Sequence, residues 1–449
     1  MNIDCDVVVV GAGLAGLSTA RRLQQAGAQV RVVEARDRVG GRTLSTSFEG
    51  ATFELGAQWV GPAQQRLRSL VHELGLELFP QHHQGLKVVE VAGRRSTYRG
   101  KLPSLSLVSL LQIELMLRRV DRMAERIPLD APYRAHKALE WDASSVEMFK
   151  RAQPAGQTAK LLFDVGIRTV FGAEPSELSL LHFLFYLNSS GGFRRLVEIE
   201  GGAQQDRFVG GTQLLSQRLA EALGRDNVIL SAPVRSIDQR GECVLVEADG
   251  ARLSARVVVV AIPPHLCARI HYEPPLPASR EQLVQRWGMG ATVKLLAFYD
   301  RAHWRDRGLS GEAVSTDSPI SVVFDNSSPD GKVACLLGFV VGKHARRWAG
   351  LGADERRRTA LAELERLLDA PARSAVHFLE HDWAAEPWTG GCPVATTGPG
   401  ILGTLGPSWR AACGRILWGG TETARHWNGY LEGALESAER VASEALGYL

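Results

Sequence analysis

The chain has 449 residues, 45% hydrophobic and 22% charged, with a formal net charge of +3 from 52 basic and 49 acidic side chains. That length suggests about two or three domains with a large buried core, the composition is that of a globular protein, and a near-balanced charge argues neither for nor against nucleic acid, while no Lys/Arg run is long enough to suggest a polyanion site. No run of about 18 apolar residues offers a membrane span, no cleavable leader pattern opens the sequence, and six cysteines without a C-x-x-C pair fit neither a zinc site nor a disulfide framework, so a reduced cytoplasmic protein is expected.

Residues 5–10 form a short β-branched apolar run, the pattern of a buried parallel strand. Gly11, Gly13 and Gly16 follow. A segment at helical spacing comes next, with Leu14, Leu17 and Leu23 on one face, and then a second strand at 30–33 that ends on Glu34. Strand, glycine turn, helix, strand and acid make one complete βαβ unit. Each glycine has its own task there: Gly11 permits the tight turn, Gly13 lets a pyrophosphate approach the backbone, and Gly16 lets the helix pack on the strand. The helix N-terminus adds unpaired N–H groups for phosphates. Glu34, 23 residues past Gly11, is placed for a ribose diol and favours NAD or FAD over NADP.

From about 104 to 186 the pattern is mostly helical and leucine-rich. Strands return after Asn227, and Asp249-Gly250 between two of them is a hairpin signal. Residues 291–301 and 332–341 read as strands, 354–369 as a strongly amphipathic helix, 415–418 as a short strand and 430–446 as a final helix. Lys294 lies inside an apolar strand, a costly position unless the charge is paired or used. Cys392 follows Gly390-Gly391 and precedes Pro393, an unusual setting for a packed core residue.

After Glu34 the chain runs Arg36-Asp37-Arg38-Val39-Gly40-Gly41-Arg42, which resembles the FAD-binding extension of flavin oxidoreductases more than a nicotinamide dehydrogenase. Further blocks follow at Gly56-Ala57-Gln58-Trp59, at 201–211, at Ala232-Pro233-Val234, at 289–294, from Asp382-Trp383 to Cys392, and from Gly419 to Gly433. Together, in this order and from end to end, they resemble the flavin-containing monoamine oxidases. The resemblance implies a two-domain α/β fold. A Rossmann-like FAD domain would be assembled from residues 1–80, 210–290 and 390–449, and a substrate domain of mixed sheet and helices from 81–209 and 291–389.

The implied reaction is oxidative deamination of an amine, a primary monoamine in the first instance, to aldehyde, ammonia and hydrogen peroxide with O2 as acceptor. The implied partners are a small amine and O2, without nucleic acid or membrane, and with a homodimer left open. On the matching positions, FAD contacts fall to Gly11, Gly13, Gly16, Glu34, Arg36, Gly41, Arg42, Gln58, Trp59, Val234, Trp383, Thr421, Glu422 and Leu431, with no metal. Thr421 and Glu422 would sit at a second helix N-terminus. Cys392 matches the cysteine that carries a thioether to the flavin in animal enzymes; in relatives without that bond the position only packs near the ring. Lys294 matches the lysine that holds a water and helps O2 react, Tyr430 one wall of an aromatic cage, and Gln204 a pocket glutamine, although neighbouring Gln205 is an equal candidate from sequence. Pro393 stands where the second cage tyrosine is expected, which leaves Trp388 or another nearby aromatic to replace it. Phe183, Phe185 and Tyr186 are candidates for an apolar cavity or for plain core. Glu198 and Glu200 keep a polyamine or diamine oxidase open. An L-amino-acid oxidase lacks its expected arginine after Gly56-Ala57-Gln58-Trp59, and a non-catalytic flavin-binding module would not need Lys294 and Tyr430.

Overall fold

The computed structural model describes residues 3–449. A five-stranded parallel sheet forms the base of the nucleotide-binding half, in the order Val228–Ile229, Val30–Val33, Val7–Val10, Val257–Val260, Ile416–Trp418. Its strands are apolar at every position but Arg31 because both faces are covered. Val7, Val9, Val257 and Val259 pack under the helices Leu14–Gln25, Gln213–Leu223 and Leu431–Leu446. Val8, Val10, Val258 and Val260 face the other way, onto a four-stranded sheet built from Val234–Asp238, Val244–Ala248, Ala251–Ala255 and His271–Glu273. The hairpin at Asp249-Gly250 forms as its sequence suggests, with Ala248 paired to Ala251.

The second half is built on a seven-stranded mixed sheet, in the order Ala375–Asp382, Thr292–Tyr299, Ala334–Val341, Ile320–Asp325, Leu309–Ser315, Leu86–Val91, Arg94–Tyr98. Side chains alternate along Thr292–Tyr299. Val293, Leu295 and Ala297 pack with the amphipathic helix Ala353–Leu368, whereas Leu296 and Phe298 join a cluster around Phe53, Phe324 and Leu337. Lys294 shares the parity of the second group, which turns it toward the other half of the molecule. The helices Leu107–Ala124, Gln157–Phe171 and Leu180–Ser190 build a separate core. Among the described residues no helix is long and apolar enough to cross a membrane.

The observed elements differ from the expected ones in three places. The run at 251–260 is two strands in two different sheets, split at Arg256. The strands Leu86–Val91, Arg94–Tyr98, Leu309–Ser315, Ile320–Asp325 and Ala375–Asp382 were not read from sequence. Thr421 and Glu422 do not open a helix: Thr421–Thr423 is one 3-10 turn, and the final helix begins at Leu431. Asn428 closes the intervening loop by donating from its amide to the carbonyls of Glu422 and Ala424.

Candidate active site

A cavity of about 1030 Å³ starts at the ends of the strands Val7–Val10 and Val30–Val33 and runs to the seven-stranded sheet. Pockets that take a drug-sized ligand run to roughly 300–1,000 Å³, so this cavity lies at the upper end of that range.

At the first end the helix Leu14–Gln25 begins at Gly13 without a side-chain cap, so its leading N–H groups are free. Gly13 faces Gly41 across the cavity wall, and a Cβ added at Gly13 would find no protein atom nearer than 3.9 Å. Gly16 does not border the cavity. A Cβ there would collide with the carbonyl oxygen of Gly11 and come within 3.3 Å of Val9, so this glycine serves close helix–strand contact. The carboxylate of Glu34 accepts N–H bonds from Ala12 at 2.7 Å and from Arg36 at 3.0 Å. Buried Arg36 donates to Thr389 at 2.5 Å and is ion-paired with Glu34 and Glu386, yet its Nε has no partner. Val234 borders the same cavity.

Further in, Arg42 makes a bidentate pair with buried Glu422 at 2.6 and 2.9 Å and donates to the Pro393 carbonyl at 2.8 Å. This clamp fixes the loop that carries Cys392. Burial pushes the Cys392 thiol up to about 11, against the pull of Arg42 and Lys294. Thr421, Leu431 and Trp383 border the cavity too, and the Trp383 indole donates to the Leu55 carbonyl at 2.9 Å.

Near the sheet stands Lys294, whose ammonium donates to the carbonyl of Gly56 at 2.8 Å and to Gln58 Oε1 at 2.5 Å. Gln58 in turn donates to Asn326 Oδ1 at 3.0 Å, which fixes which way its amide points. The rings of Trp59 and Phe339 lie 5.9 and 5.8 Å from the ammonium. An ammonium has three N–H bonds, so one remains for the cavity. Gln204 borders the cavity and Gln205 does not. The amide of Gln204 donates to the Leu196 carbonyl at 2.7 Å, while its Oε1 is buried with no partner. Gln205 accepts from the backbone N–H of Gly201 instead.

Tyr430 borders the cavity, and its ring centroid lies 6.2 Å from that of Tyr186, which borders it as well. Trp388 makes no aromatic contact with Tyr430 among the described residues; Trp427 packs edge-on against Tyr430 at 5.2 Å but does not border the cavity, which leaves Tyr186 as the cavity-lining aromatic beside it, a residue that sequence reasoning did not single out for this place. Phe183 and Phe185 belong to the helical core and not to the cavity. The apolar lining comes from Leu162, Val165, Phe193, Leu196, Phe324 and Phe339. Phe324 and Phe339 sit on adjacent strands of the large sheet, which sequence alone did not bring together.

Uncapped helix N–H groups, a two-glycine cradle, a buried acid and an arginine with an unpartnered nitrogen fit a dinucleotide. Among the described residues no cluster of His, Cys, Asp or Glu is arranged to hold a metal ion. Comparison with known proteins agrees with the geometry. Residues 14–446 match the family model described as flavin containing amine oxidoreductase. A probable flavin-containing monoamine oxidase A of Dictyostelium discoideum is 40% identical, over 98% of this chain and 97% of that protein. A putrescine oxidase solved with putrescine bound superposes with a TM-score of 0.94 at 34% identity, covering 99% of each chain. A cyclohexylamine oxidase from Brevibacterium oxydans IH-35A does so with a TM-score of 0.94 at 32% identity, again covering 99% of each chain. The chain belongs to the flavin containing amine oxidoreductase family and is an FAD-dependent amine oxidase.

Proposed function

We propose that the preferred substrate is a primary monoamine with an apolar tail, in the reaction R–CH2–NH2 + O2 + H2O → R–CHO + NH3 + H2O2. One observation carries the choice of tail. Apart from Glu200, the carboxylates that border the cavity are already engaged: Glu34 with Arg36, Glu312 with Lys87 at 2.8 Å, Glu198 with Lys101 at 3.2 Å, Glu114 with Arg118 and Arg194, and Glu422 with Arg42. Glu200 has no ion pair and is exposed. A second ammonium carried into the apolar part of the cavity would therefore be buried without a counter-charge, which is expensive. The diamine reading loses its support from Glu198, and a substrate carboxylate meets an Arg194 that is already paired.

FAD, when bound, accepts two electrons from the substrate Cα–N bond and passes them to O2. The residues that would hold it are those of the glycine cradle, Glu34, Arg36, Gly41, Arg42, Gln58, Trp59, Val234, Trp383, Thr421, Glu422 and Leu431, with Gly16 contributing through packing. The division into an FAD domain of residues 1–80, 210–290 and 390–449 and a substrate domain of 81–209 and 291–389 belongs to the same reading. The unpartnered Gln204 Oε1 takes an amine N–H, and the Tyr430 face, beside Tyr186, receives the amine group. Lys294 places a cation and one N–H where oxygen is reduced. All six cysteines are free thiols, which fits a cytoplasmic setting.

Peroxide release from hexylamine, 1,4-diaminobutane and L-leucine tests this. The monoamine should lead the diamine in kcat/KM by about 100-fold, the worth of roughly 3 kcal/mol for an unpaired buried charge. Equal rates for the diamine would overturn the reading. Cys392 is assigned as the attachment point of a covalent flavin. Acid precipitation should leave yellow colour in the pellet, and Cys392→Ala should move it to the supernatant; colour in the wild-type supernatant would reduce Cys392 to a packing residue.

A further inference from the structure

Lys294 borders the cavity and Glu54 is buried behind its wall, and among the described residues neither has an ion pair. Glu54 ends the strand Ala51–Glu54 and is 5% exposed. Its carboxylate accepts the backbone N–H of Thr212 at 2.7 Å and the hydroxyl of Ser45 at 3.0 Å. Lys294 is 2% exposed and is bonded to two neutral oxygens, on Gly56 and Gln58. Neither residue has an oppositely charged group within 4.0 Å among the described residues. Gly56 lies two residues past Glu54, so the same short segment supplies the carboxylate and one acceptor of the ammonium.

The other titratable groups around Lys294 cannot take the role of counter-ion. Arg207, from the strand Asp206–Phe208, is a buried cation that donates to the carbonyls of Asn326 and Ser327. The thiols of Cys335 and Cys392 are kept neutral by burial. His381, paired with Lys294 in register on Ala375–Asp382, is held below its ordinary range by burial and packs edge-on against Trp383. Glu54 is the one carboxylate in the group.

We propose that Glu54 is the counter-charge that keeps the Lys294 ammonium ionised inside the cavity, a positioning residue that reaches the chemistry through the lysine. Burial pulls Lys294 below its ordinary range and pushes Glu54 above its own, and each charge opposes the shift of the other. Loss of the neighbouring negative charge would therefore push Lys294 further toward its neutral form. The charge pair rests on the burial of both groups and on the short segment that carries Glu54 and the Gly56 carbonyl bonded by Lys294; its consequence for the oxygen reaction rests on the role given to Lys294 above.

The test is an NMR titration of holoenzyme labelled with 13Cε-lysine, with the Lys294 signal identified by its loss in Lys294→Met. In Glu54→Gln the Lys294 midpoint should fall by at least about one pH unit, while Glu54→Asp, which keeps the charge, should restore it. An unchanged midpoint in Glu54→Gln overturns the proposal. Should that variant not fold, Lys294→Met with 13Cδ-glutamate gives the reciprocal: the Glu54 midpoint should rise, and a constant value overturns the proposal equally. Stopped-flow mixing separates the two ideas. Glu54→Gln should slow reoxidation by O2 at neutral pH and shift its pH profile to the acid side, with anaerobic reduction by amine retained. A shifted NMR midpoint with an unchanged oxygen reaction would uphold the pair and overturn the role of Lys294.

Discussion

Replacing Gly16 and Gly13 by alanine should separate two tasks that share one turn. At Gly16 the added methyl falls against the Gly11 carbonyl, inside the 3.0 Å that real Cβ atoms keep, with the Gly11 carbon at 3.1 Å and Val9 at 3.3 Å. The turn cannot retreat, because Gly11 has φ +103 and is itself backed by Ile262 and Ala261. The helix cannot retreat either, because Leu14, Leu17, Ala20 and Leu23 are buried against the sheet. The methyl must be absorbed by overpacking, which costs about 1–3 kcal/mol, and the phosphate-facing N–H groups move with the helix. At Gly13 the methyl meets no protein atom within 3.9 Å and φ is −74, so it occupies space only in the cavity. Gly16→Ala should therefore lower the denaturation midpoint and weaken FAD together. Gly13→Ala should denature within about 0.5 kcal/mol of wild type, the range of a substitution away from packed features, while FAD binds at least ~10-fold more weakly, about 1.4 kcal/mol. Chemical denaturation of the apoprotein and fluorescence titration with FAD measure both quantities. Wild-type FAD affinity in Gly13→Ala, or undiminished stability in Gly16→Ala, would refute the reasoning.

Glu432 is 2% exposed and accepts the backbone N–H groups of Arg66 and Leu67 at 3.2 and 2.8 Å, capping the helix Gln65–Glu73 from a distant part of the chain. Glu432→Ala should cost about 1–3 kcal/mol in denaturant titration, the price of leaving buried donors unpaired. His182 is fully buried, and desolvation lowers it to about 3, below its unfolded value near 6.5. Its neutral form contributes stability above pH 6.5, and that is lost as pH falls toward 3, by up to about 1.4 kcal/mol per unit. In His182→Gln the slope of stability against pH in that window should be shallower by up to one proton. Gln204→Leu removes the unpartnered acceptor and should raise KM for amine about 10-fold, one neutral hydrogen bond, with anaerobic FAD absorbance unchanged; an unaltered KM would remove Gln204 from the substrate contacts.

Much of the nucleotide end was legible because its signals are local. Gly11, Gly13, Gly16 and Glu34 sit in one short segment whose spacing alone describes a turn and a helix start. The substrate end depends on contacts far apart in sequence. Phe324 and Phe339 line the cavity through strand register, and Tyr186 reaches Tyr430 across more than half the chain. Leu180–Ser190 is apolar on all sides, so its periodicity could not say that Tyr186 meets the cavity while Phe183 and Phe185 do not. Gln204 and Gln205 were indistinguishable until the Leu196 carbonyl and the Gly201 N–H fixed their sides. The stretch from Gly419 to Glu422 reads as a turn and 430–446 as a helix, and both form; what fails is a helix N-terminus at Thr421, because Thr421–Thr423 closes as a single 3-10 turn.

The parallel sheet sets Val7–Val10 beside Val257–Val260 and closes it with Ile416–Trp418, while Leu431–Leu446 packs on Leu14–Gln25. The phosphate turn thus leaves the ribosome long before the strand and helix that finish its surroundings. At about 5–20 residues per second, the opening βαβ unit waits on the order of a minute for them. Cofactor capture then follows the synthesis of Ile416–Trp418 and Leu431–Leu446, and a ribosome-stalled chain ending before Ile416 should not retain flavin.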